Sequence, residues 1–138
     1  MRSPATNHRL NCSLIMPTTI LLVDDDDDFR RVAAITLKRA GYEVHEARNG
    51  AQAVHECFSL HPNLVIIDLI MPEQEGLETI VELRQMNPAL PIIAISGGGR
   101  NTPEDYLAMA KKLGANRMLA KPFMGSEMLQ VVSEVLAA

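Results

Sequence analysis

The sequence predicts an α/β protein in which a parallel five-stranded sheet is covered by helices on both faces. Short apolar runs alternate along the chain with longer segments of helical periodicity, which is the pattern of repeated strand-helix-strand units. The centres of three of these runs read LLV, VII and IAI, as expected for strands buried on both faces. The chain has 138 residues, of which 47% are apolar and 22% charged, so we expect one globular domain.

The strands and the first three helices are predicted from these runs and from the stop signals between them. The predicted strands are Thr19 to Val23, Glu43 to Glu46, Leu64 to Asp68, Ile92 to Ser96 and Arg117 to Ala120. The first helix ends before Gly41, and its predicted buried positions are Phe29, Val32, Ala33, Thr36, Leu37 and Ala40. The second helix covers about Ala51 to Leu60, with Val54 and Phe58 inward. The third helix covers about Leu77 to Met86 and carries on adjacent turns Leu77, Ile80, Val81 and Arg84.

Two further helices are predicted near the carboxyl end. The fourth begins at the N-cap Thr102 and at Pro103 and stops at Gly114, with Leu107, Ala110 and Leu113 buried. The fifth is capped by Ser126 and buries Leu129, Val132 and Leu136. Tyr106 and Met109 lie off the buried stripe of the fourth helix and are candidates for contact with a partner.

Charge and cysteine content exclude several classes of protein. The net charge is −4 and no cluster of Lys or Arg occurs, so the electrostatic signature of a nucleic-acid-binding protein is missing. Cys12 and Cys57 are too few for a disulfide framework, which favours a reducing compartment, the cytoplasm. Residues 1–16 contain no apolar run of signal-peptide or membrane-span length and are predicted to form a flexible arm before a domain at 17–138. Met16 is an alternative start of translation.

Polar side chains stand at the carboxyl ends of four predicted strands. They are Asp24 and Asp25 after the first strand, Asp68 at the end of the third, Ser96 at the end of the fourth and Lys121 after the fifth. In a doubly wound sheet the ligand crevice lies beyond these ends, so four segments direct polar groups to one place. Two carboxylates about 4 Å apart repel each other by roughly 4 kcal/mol at an effective dielectric of about 20, so the cluster favours a hard cation such as Mg²⁺.

The same residues suit attack on phosphorus. A carboxylate with the ordinary aspartate pKa of ~3.9 is ionised at pH 7, so an aspartyl nucleophile needs no base. Lys121 supplies an ammonium and Ser96 a hydroxyl for the phosphoryl oxygens. The backbone amides of Gly97, Gly98 and Gly99 either form an anion nest or belong to a plain loop. The acids from Asp26 to Asp28 are read as solvated residues and a helix N-cap.

Four motifs, ILLVDDDDDFR, LVIIDLIMP, IIAIS and LAKPF, resemble the signatures of bacterial response-regulator receiver domains. The resemblance covers residues 17–138 and implies a flavodoxin-like fold with strand order 2-1-3-4-5. It implies that Asp68 is the phosphoacceptor, that Ser96 and Lys121 assist it, and that Asp24, Asp25, Asp68 and the backbone carbonyl of Ile70 bind Mg²⁺. It also implies a cis peptide bond between Lys121 and Pro122.

Three positions depart from the family pattern. Apolar Ile70 and Gly98 occupy the positions that tune the lifetime of the phosphoryl group, which leads us to expect slow self-dephosphorylation and no further enzyme activity. Met118 replaces the usual switch aromatic, so a repacking methionine would have to take its part.

The resemblance implies a stand-alone receiver that switches protein-protein interactions in a phosphorelay. Its donor would be a sensor histidine kinase or a histidine phosphotransfer protein. Its output would be a downstream protein partner or a homodimer formed through the fourth helix, fifth strand and fifth helix; it could also serve as a phosphate sink. Neither nucleic acid nor membrane is an expected partner. The alternatives are a magnesium-dependent phosphohydrolase with an aspartyl nucleophile, although Ile70 lacks the second acid of that class, and a degenerate receiver that only binds partners.

Overall fold

A computed structural model describes residues 17–69, 75–97, 108–109 and 111–138. The strands in these ranges are β1 (Thr19–Val23), β2 (Glu43–Ala47), β3 (Leu64–Asp68), β4 (Ile92–Ser96) and β5 (Arg117–Ala120). The complete helices are α1 (Asp27–Arg39), α2 (Gly50–Leu60), α3 (Glu75–Met86) and α4 (Gly125–Ala137). The strands form one parallel sheet in the order β2-β1-β3-β4-β5, which confirms the predicted fold and strand order.

The sheet is buried on both faces because its central strands are apolar at nearly every position and polar only at their ends. Leu21 and Val23 of β1 belong to a core layer shared with α2 and α3, whereas the alternate residues Ile20 and Leu22 belong to a second layer shared with α1 and α4. Successive side chains of a strand point to opposite faces, so an unbroken apolar run supplies both layers at once. This burial fixes the register of the strands and hence the positions of their carboxyl ends.

The predicted strands match the structure closely, but the buried faces of three helices were partly wrong. Val32 of α1 is 65% exposed and Phe58 of α2 is 73% exposed, although both were expected in the core. The smaller Ala34 and Cys57 are buried instead. On α3, Leu83 is buried and Val81 is at the surface. The angular position of a residue relative to the sheet decides its burial, and the helical spacing of apolar residues in the sequence did not fix that angle.

Helix ends follow the predicted signals at most sites. Asp26 is the N-cap of α1, and its side chain accepts a hydrogen bond from the amide of Phe29. Gly41 and Gly114, with φ of 102° and 103°, occupy the left-handed region at the expected stops. The predicted cap Ser126 is wrong: the N-cap of α4 is Met124, two residues earlier, so Ser126 lies inside the first turn. The Lys121-Pro122 bond is cis, as predicted.

Several predicted features fall outside the described residues. They include the arm at 1–16 with Cys12, the cap Thr102-Pro103, Tyr106, Leu107 and Ala110. In the predicted fourth helix, residues 108–109 and 111–113 are helical, and Met109 is exposed as expected. Of the helices in the part of the chain that the structure describes, none combines the length and the apolar character needed to cross a membrane.

Gly76 brings the start of α3 directly against the carboxyl end of β3. A Cβ atom at this position would meet the carbonyl oxygen of Asp68 and lie 2.8 Å from the Cα of Leu69. Both are backbone atoms that cannot rotate away. The absence of a side chain at Gly76 therefore helps to place Asp68.

We predict that Gly76→Ala lowers the free energy of unfolding by roughly 1–3 kcal/mol, because the backbone must shift to admit the methyl group. Urea denaturation followed by circular dichroism measures the change. Gly125→Ala is the matched control: it lies at the start of α4, and its Cβ would meet only the side chain of Thr36, at 3.2 Å. We expect that control to change stability by less than about 1 kcal/mol. Equal losses in the two variants would contradict the prediction.

Candidate functional site

Backbone hydrogen bonds continue past the strands at their carboxyl ends and join β1 to β2, β3 to β4 and β5 to β4. The amide of Asp24 donates to the carbonyl of Ala47 at 3.1 Å, and the amide of Leu69 donates to the carbonyl of Ile95 at 2.8 Å. The amide of Lys121 donates to the carbonyl of Ser96 at 2.7 Å. These bonds hold the polar residues that follow the strands at fixed positions along one edge of the sheet.

Asp24, Asp25 and Asp68 form a cluster that we call the acidic pocket. Each offers a carboxylate oxygen, and the three oxygens lie within 4.8 Å of one another. Asp24 and Asp68 are buried, whereas Asp25 is exposed. Three carboxylates with one member open to solvent fit a hard cation with oxygen ligands, such as Mg²⁺, which binds through a few carboxylates and retains water. The predicted metal ligands therefore lie together, except Ile70, which is outside the described residues.

Lys121 lies between the two buried carboxylates. Its Nζ is 3.1 Å from Oδ2 of Asp68 and 3.2 Å from Oδ2 of Asp24. Burial acts to lower the pKa of the Lys121 ammonium, but the charges and hydrogen bonds of Asp68 and Asp24 outweigh it, and the net shift is upward. The side chain is therefore a cation at neutral pH and can exchange a carboxylate oxygen for a phosphoryl oxygen.

An aromatic ring that the sequence analysis did not assign to the site lies against this lysine, and a second ring packs against the first. Nζ of Lys121 lies 4.0 Å from the centroid of the Phe29 ring, a cation-π distance. Phe123 packs edge-on against Phe29, with centroids 5.7 Å apart and ring planes at 88°. Phe29 had been assigned only to the core stripe of α1, and helical periodicity gives no sign that its ring faces a charge from β5.

Ser96 is a buried polar residue at the end of β4. Its hydroxyl oxygen has no hydrogen-bond partner among the described residues. A buried hydroxyl left unpaired costs about 1–3 kcal/mol, so the position favours a ligand oxygen that accepts from it. The role of Ser96 toward a phosphoryl group stays a prediction.

The remaining predicted positions contribute less to the described geometry. Gly97 is half-buried, while Gly98 and Gly99 lie outside the described residues, so the anion nest stays a prediction. Met118 is half-buried and packs against the core layer of α2 and α3. Among the acids after the pocket, Asp27 forms ion pairs with Arg30 and Arg48.

Comparison with known proteins agrees with this geometry. The family model described as the response regulator receiver domain matches residues 20–133. The chemotaxis protein CheY of Thermotoga maritima is 34% identical over 121 residues, which cover 87% of this chain and 98% of that protein. CheY of Bacillus subtilis is 34% identical over 122 residues, 88% of this chain and 99% of that protein. A solved structure of a putative response regulator from Chloroflexus aurantiacus superposes with a TM-score of 0.81 at 32% identity, covering 89% and 100% of the two chains.

This chain belongs to the response regulator receiver domain family. The receiver domain therefore has the phosphoacceptor signalling role of two-component systems, as the motifs predicted, and the family assignment does not favour the phosphohydrolase alternative. The same domain also occurs inside longer proteins: the regulatory protein AtoC of Escherichia coli is 32% identical over 117 residues, which span only 25% of AtoC.

We predict that Asp25→Asn stabilises the metal-free receiver domain by about 1 kcal/mol, because it removes one of three mutually repelling charges. The same change should reduce the stabilisation that millimolar Mg²⁺ provides, since a ligand is lost. Thermal and urea denaturation with EDTA or with Mg²⁺ measure both effects. Asp28→Asn is the matched control, since Asp28 is exposed, carries the same charge and lies outside the acidic pocket. If the two variants responded alike, the pocket would not be the metal site.

Proposed function

We propose that Asp68 accepts a phosphoryl group from the phosphohistidine of a sensor histidine kinase or of a histidine phosphotransfer protein. The observation that carries the proposal is the position of its carboxylate, which belongs to the acidic pocket and lies 3.1 Å from the ammonium of Lys121. The nucleophile and a cation for its substrate thus lie at the same edge of the sheet.

In the transfer, a carboxylate oxygen of Asp68 forms a bond to phosphorus while the phosphorus-nitrogen bond of the donor breaks. The leaving imidazole keeps the electron pair of that bond and takes up a proton. Lys121 turns its ammonium from the carboxylates toward a phosphoryl oxygen, and Ser96 donates its free hydroxyl hydrogen to another. The charge on the phosphoryl oxygens is thereby compensated by groups that are already in place.

Asp24, Asp25 and Asp68 are the residues proposed to bind Mg²⁺, together with the carbonyl of Ile70. When bound, Mg²⁺ would neutralise charge on the phosphoryl oxygens and thereby favour the transfer. The chemistry of the donor set supports this assignment, because oxygen ligands in a cluster of like charge suit a small divalent cation.

Phosphorylation would switch the binding of a downstream protein. A new dianion at Asp68 draws Ser96 and Lys121 toward it, and both residues are joined through backbone hydrogen bonds to β4 and β5. The half-buried Met118 of β5 is the side chain best placed to repack in response. The output partner, a homodimer through the face of residues 102–113, β5 and α4, the cytoplasmic location and the boundary at residue 17 stay predictions.

The decisive test compares wild type with Asp68→Asn after incubation with acetyl phosphate and Mg²⁺. We expect one phosphoryl group in the intact mass of wild type, and none in Asp68→Asn, because the amide is not a nucleophile of comparable strength. EDTA should abolish the adduct. Asp28→Asn, a neighbouring charge change at an exposed position outside the pocket, should still be labelled.

The alternatives predict different results in the same experiment. Steady release of phosphate without an adduct would instead indicate a phosphohydrolase. An inert wild type with unchanged partner binding would indicate a degenerate receiver, against the full set of Asp24, Asp25, Asp68, Ser96 and Lys121 that the fold brings together.

We also predict that the phosphoryl group is lost slowly, with a half-life of minutes or longer. Ile70 and Gly98 offer no polar side chain to position a hydrolytic water at the two tuning positions. The decay of the adduct mass in Mg²⁺ buffer, after removal of acetyl phosphate, measures this lifetime. Replacing Ile70 by Glu should shorten it, and a wild-type half-life of seconds would refute the prediction.

A further inference from the structure

Arg30 is a buried cation beside the acidic pocket; it is the last residue of the motif ILLVDDDDDFR, and the sequence analysis assigned no role to it. It belongs to α1, where its side chain is almost fully covered. Its neighbour Arg31 is exposed and is pointed away from the core. A buried guanidinium needs hydrogen-bond partners, so the contacts of Arg30 indicate what it does.

The guanidinium of Arg30 contacts three groups from three parts of the chain. Nη1 donates to the backbone carbonyl of Asp24 at 2.6 Å. Nε donates to Oε1 of Glu46 on β2 at 2.8 Å, and Nη2 donates to Oδ1 of Asp27 at 2.7 Å. Burial acts to lower the pKa of Arg30, but the hydrogen bonds of Asp27 and Glu46 outweigh it and raise the pKa, so the group is permanently charged.

The bond from Arg30 is one of four hydrogen bonds that hold Asp24 in place. Its amide is bonded to Ala47, its carbonyl to Arg30, its Oδ1 to the amide of Asp26 at 2.9 Å and its Oδ2 to Lys121 at 3.2 Å. Every polar atom of this buried aspartate thus has a partner. Arg30 anchors the carbonyl, and thereby the turn from β1 to α1 that carries both Asp24 and Asp25.

The planar fork of arginine suits this role. It reaches a carbonyl and two carboxylates in fixed directions, whereas a lysine ammonium is a point charge on a flexible stem. Glu46 and Asp27 hold the far side of the fork, so the guanidinium cannot turn away when the pocket changes its occupant.

We infer that Arg30 is a positioning residue for the acidic pocket, which holds the Asp24-Asp25 turn in the orientation that binds a divalent cation. The inference rests on the proposed function, since it assigns a support to the same site. It makes no claim that Arg30 touches the cation or the phosphoryl group.

An electrostatic effect and a positioning effect of Arg30 predict opposite changes in Mg²⁺ affinity when Arg30 is replaced. A positive charge near the pocket repels a cation, so its removal alone would tighten Mg²⁺ binding. Loss of positioning would weaken binding, and loss of residues that orient metal ligands typically costs about 10–100-fold in metal affinity. A decrease in affinity therefore reports positioning.

The experiment measures Mg²⁺ affinity by isothermal titration calorimetry on the full chain, without any phosphodonor. We expect Arg30→Gln to weaken Mg²⁺ binding about tenfold or more. Arg30→Lys, which keeps the charge and loses the fork, should also weaken it. The matched control Arg31→Gln removes the same charge at an exposed site. The Mg²⁺ affinity of this variant should stay within about twofold of wild type, because solvent screens the charge of Arg31.

A second pair of variants keeps the test decisive if the Arg30 variants do not fold. Glu46→Gln weakens one anchor of the fork and should lower Mg²⁺ affinity in the same direction, whereas Glu43→Gln on the same strand should not. Circular dichroism in EDTA establishes that each variant is folded. In acetyl phosphate labelling, the Arg30 and Glu46 variants should need more Mg²⁺ for half-maximal rate and recover the wild-type rate at saturation.

The outcomes separate this inference from the proposed function. Wild type that neither binds Mg²⁺ nor becomes labelled would refute the proposed function itself. Wild type that binds and is labelled, with folded Arg30 and Glu46 variants of equal or higher Mg²⁺ affinity, would overturn only the role of Arg30. If the Arg30 variants do not fold, the comparison of Glu46→Gln with Glu43→Gln decides.

Discussion

The burial of two like charges at one edge of the sheet is the constraint on which the site depends. Asp24 and Asp68 end neighbouring parallel strands, so their carboxylates are brought together by the same backbone pairing that builds the core. In a medium of lowered dielectric this arrangement is unfavourable without a cation. The ammonium of Lys121 compensates both carboxylates across distances of 3.1 and 3.2 Å. The proposed Mg²⁺ would neutralise the same unfavourable charge density.

Two cations serve this cluster in physically different ways. Lys121 approaches the carboxylates from the pocket side on a flexible stem, with the Phe29 ring beneath its ammonium. It can move from carboxylate to phosphoryl oxygen without a change in the backbone. Arg30 lies behind the turn, where its fork contacts the carbonyl of Asp24, Glu46 and Asp27 in fixed directions. A mobile charge thus faces the reacting group, and a rigid one supports the ligands.

In the proposed switch, the response to phosphorylation passes from the pocket to the surface through β4 and β5. Ser96 and Lys121 are linked by a backbone hydrogen bond of 2.7 Å, so the two groups proposed to contact the phosphoryl oxygens lie at the ends of adjacent strands. Ser96 is buried with an unpaired hydroxyl, which makes its position sensitive to a new acceptor. Met118, where relatives of this family usually have an aromatic switch residue, packs against the core from β5. A thioether can repack with many rotamers, so the response of this domain need not follow the aromatic pattern.

The sequence alone determined the strands and the polar residues at their carboxyl ends. An apolar run that ends in Asp68 or Ser96 predicts a strand and also shows which polar side chain stands at its end. The strand order was predicted only from the family resemblance, because an apolar run does not indicate which other strands will pair with it. Periodicity placed Val32 and Phe58 inward, and only the tertiary structure showed their exposure, because the angle of a helix against the sheet is set by packing across elements. The support of the pocket by Phe29 and Arg30 was likewise decided only in three dimensions. Their partners, Lys121 and Glu46, are distant in sequence, and an arginine in a helix gives no local sign of the carbonyl it will bind.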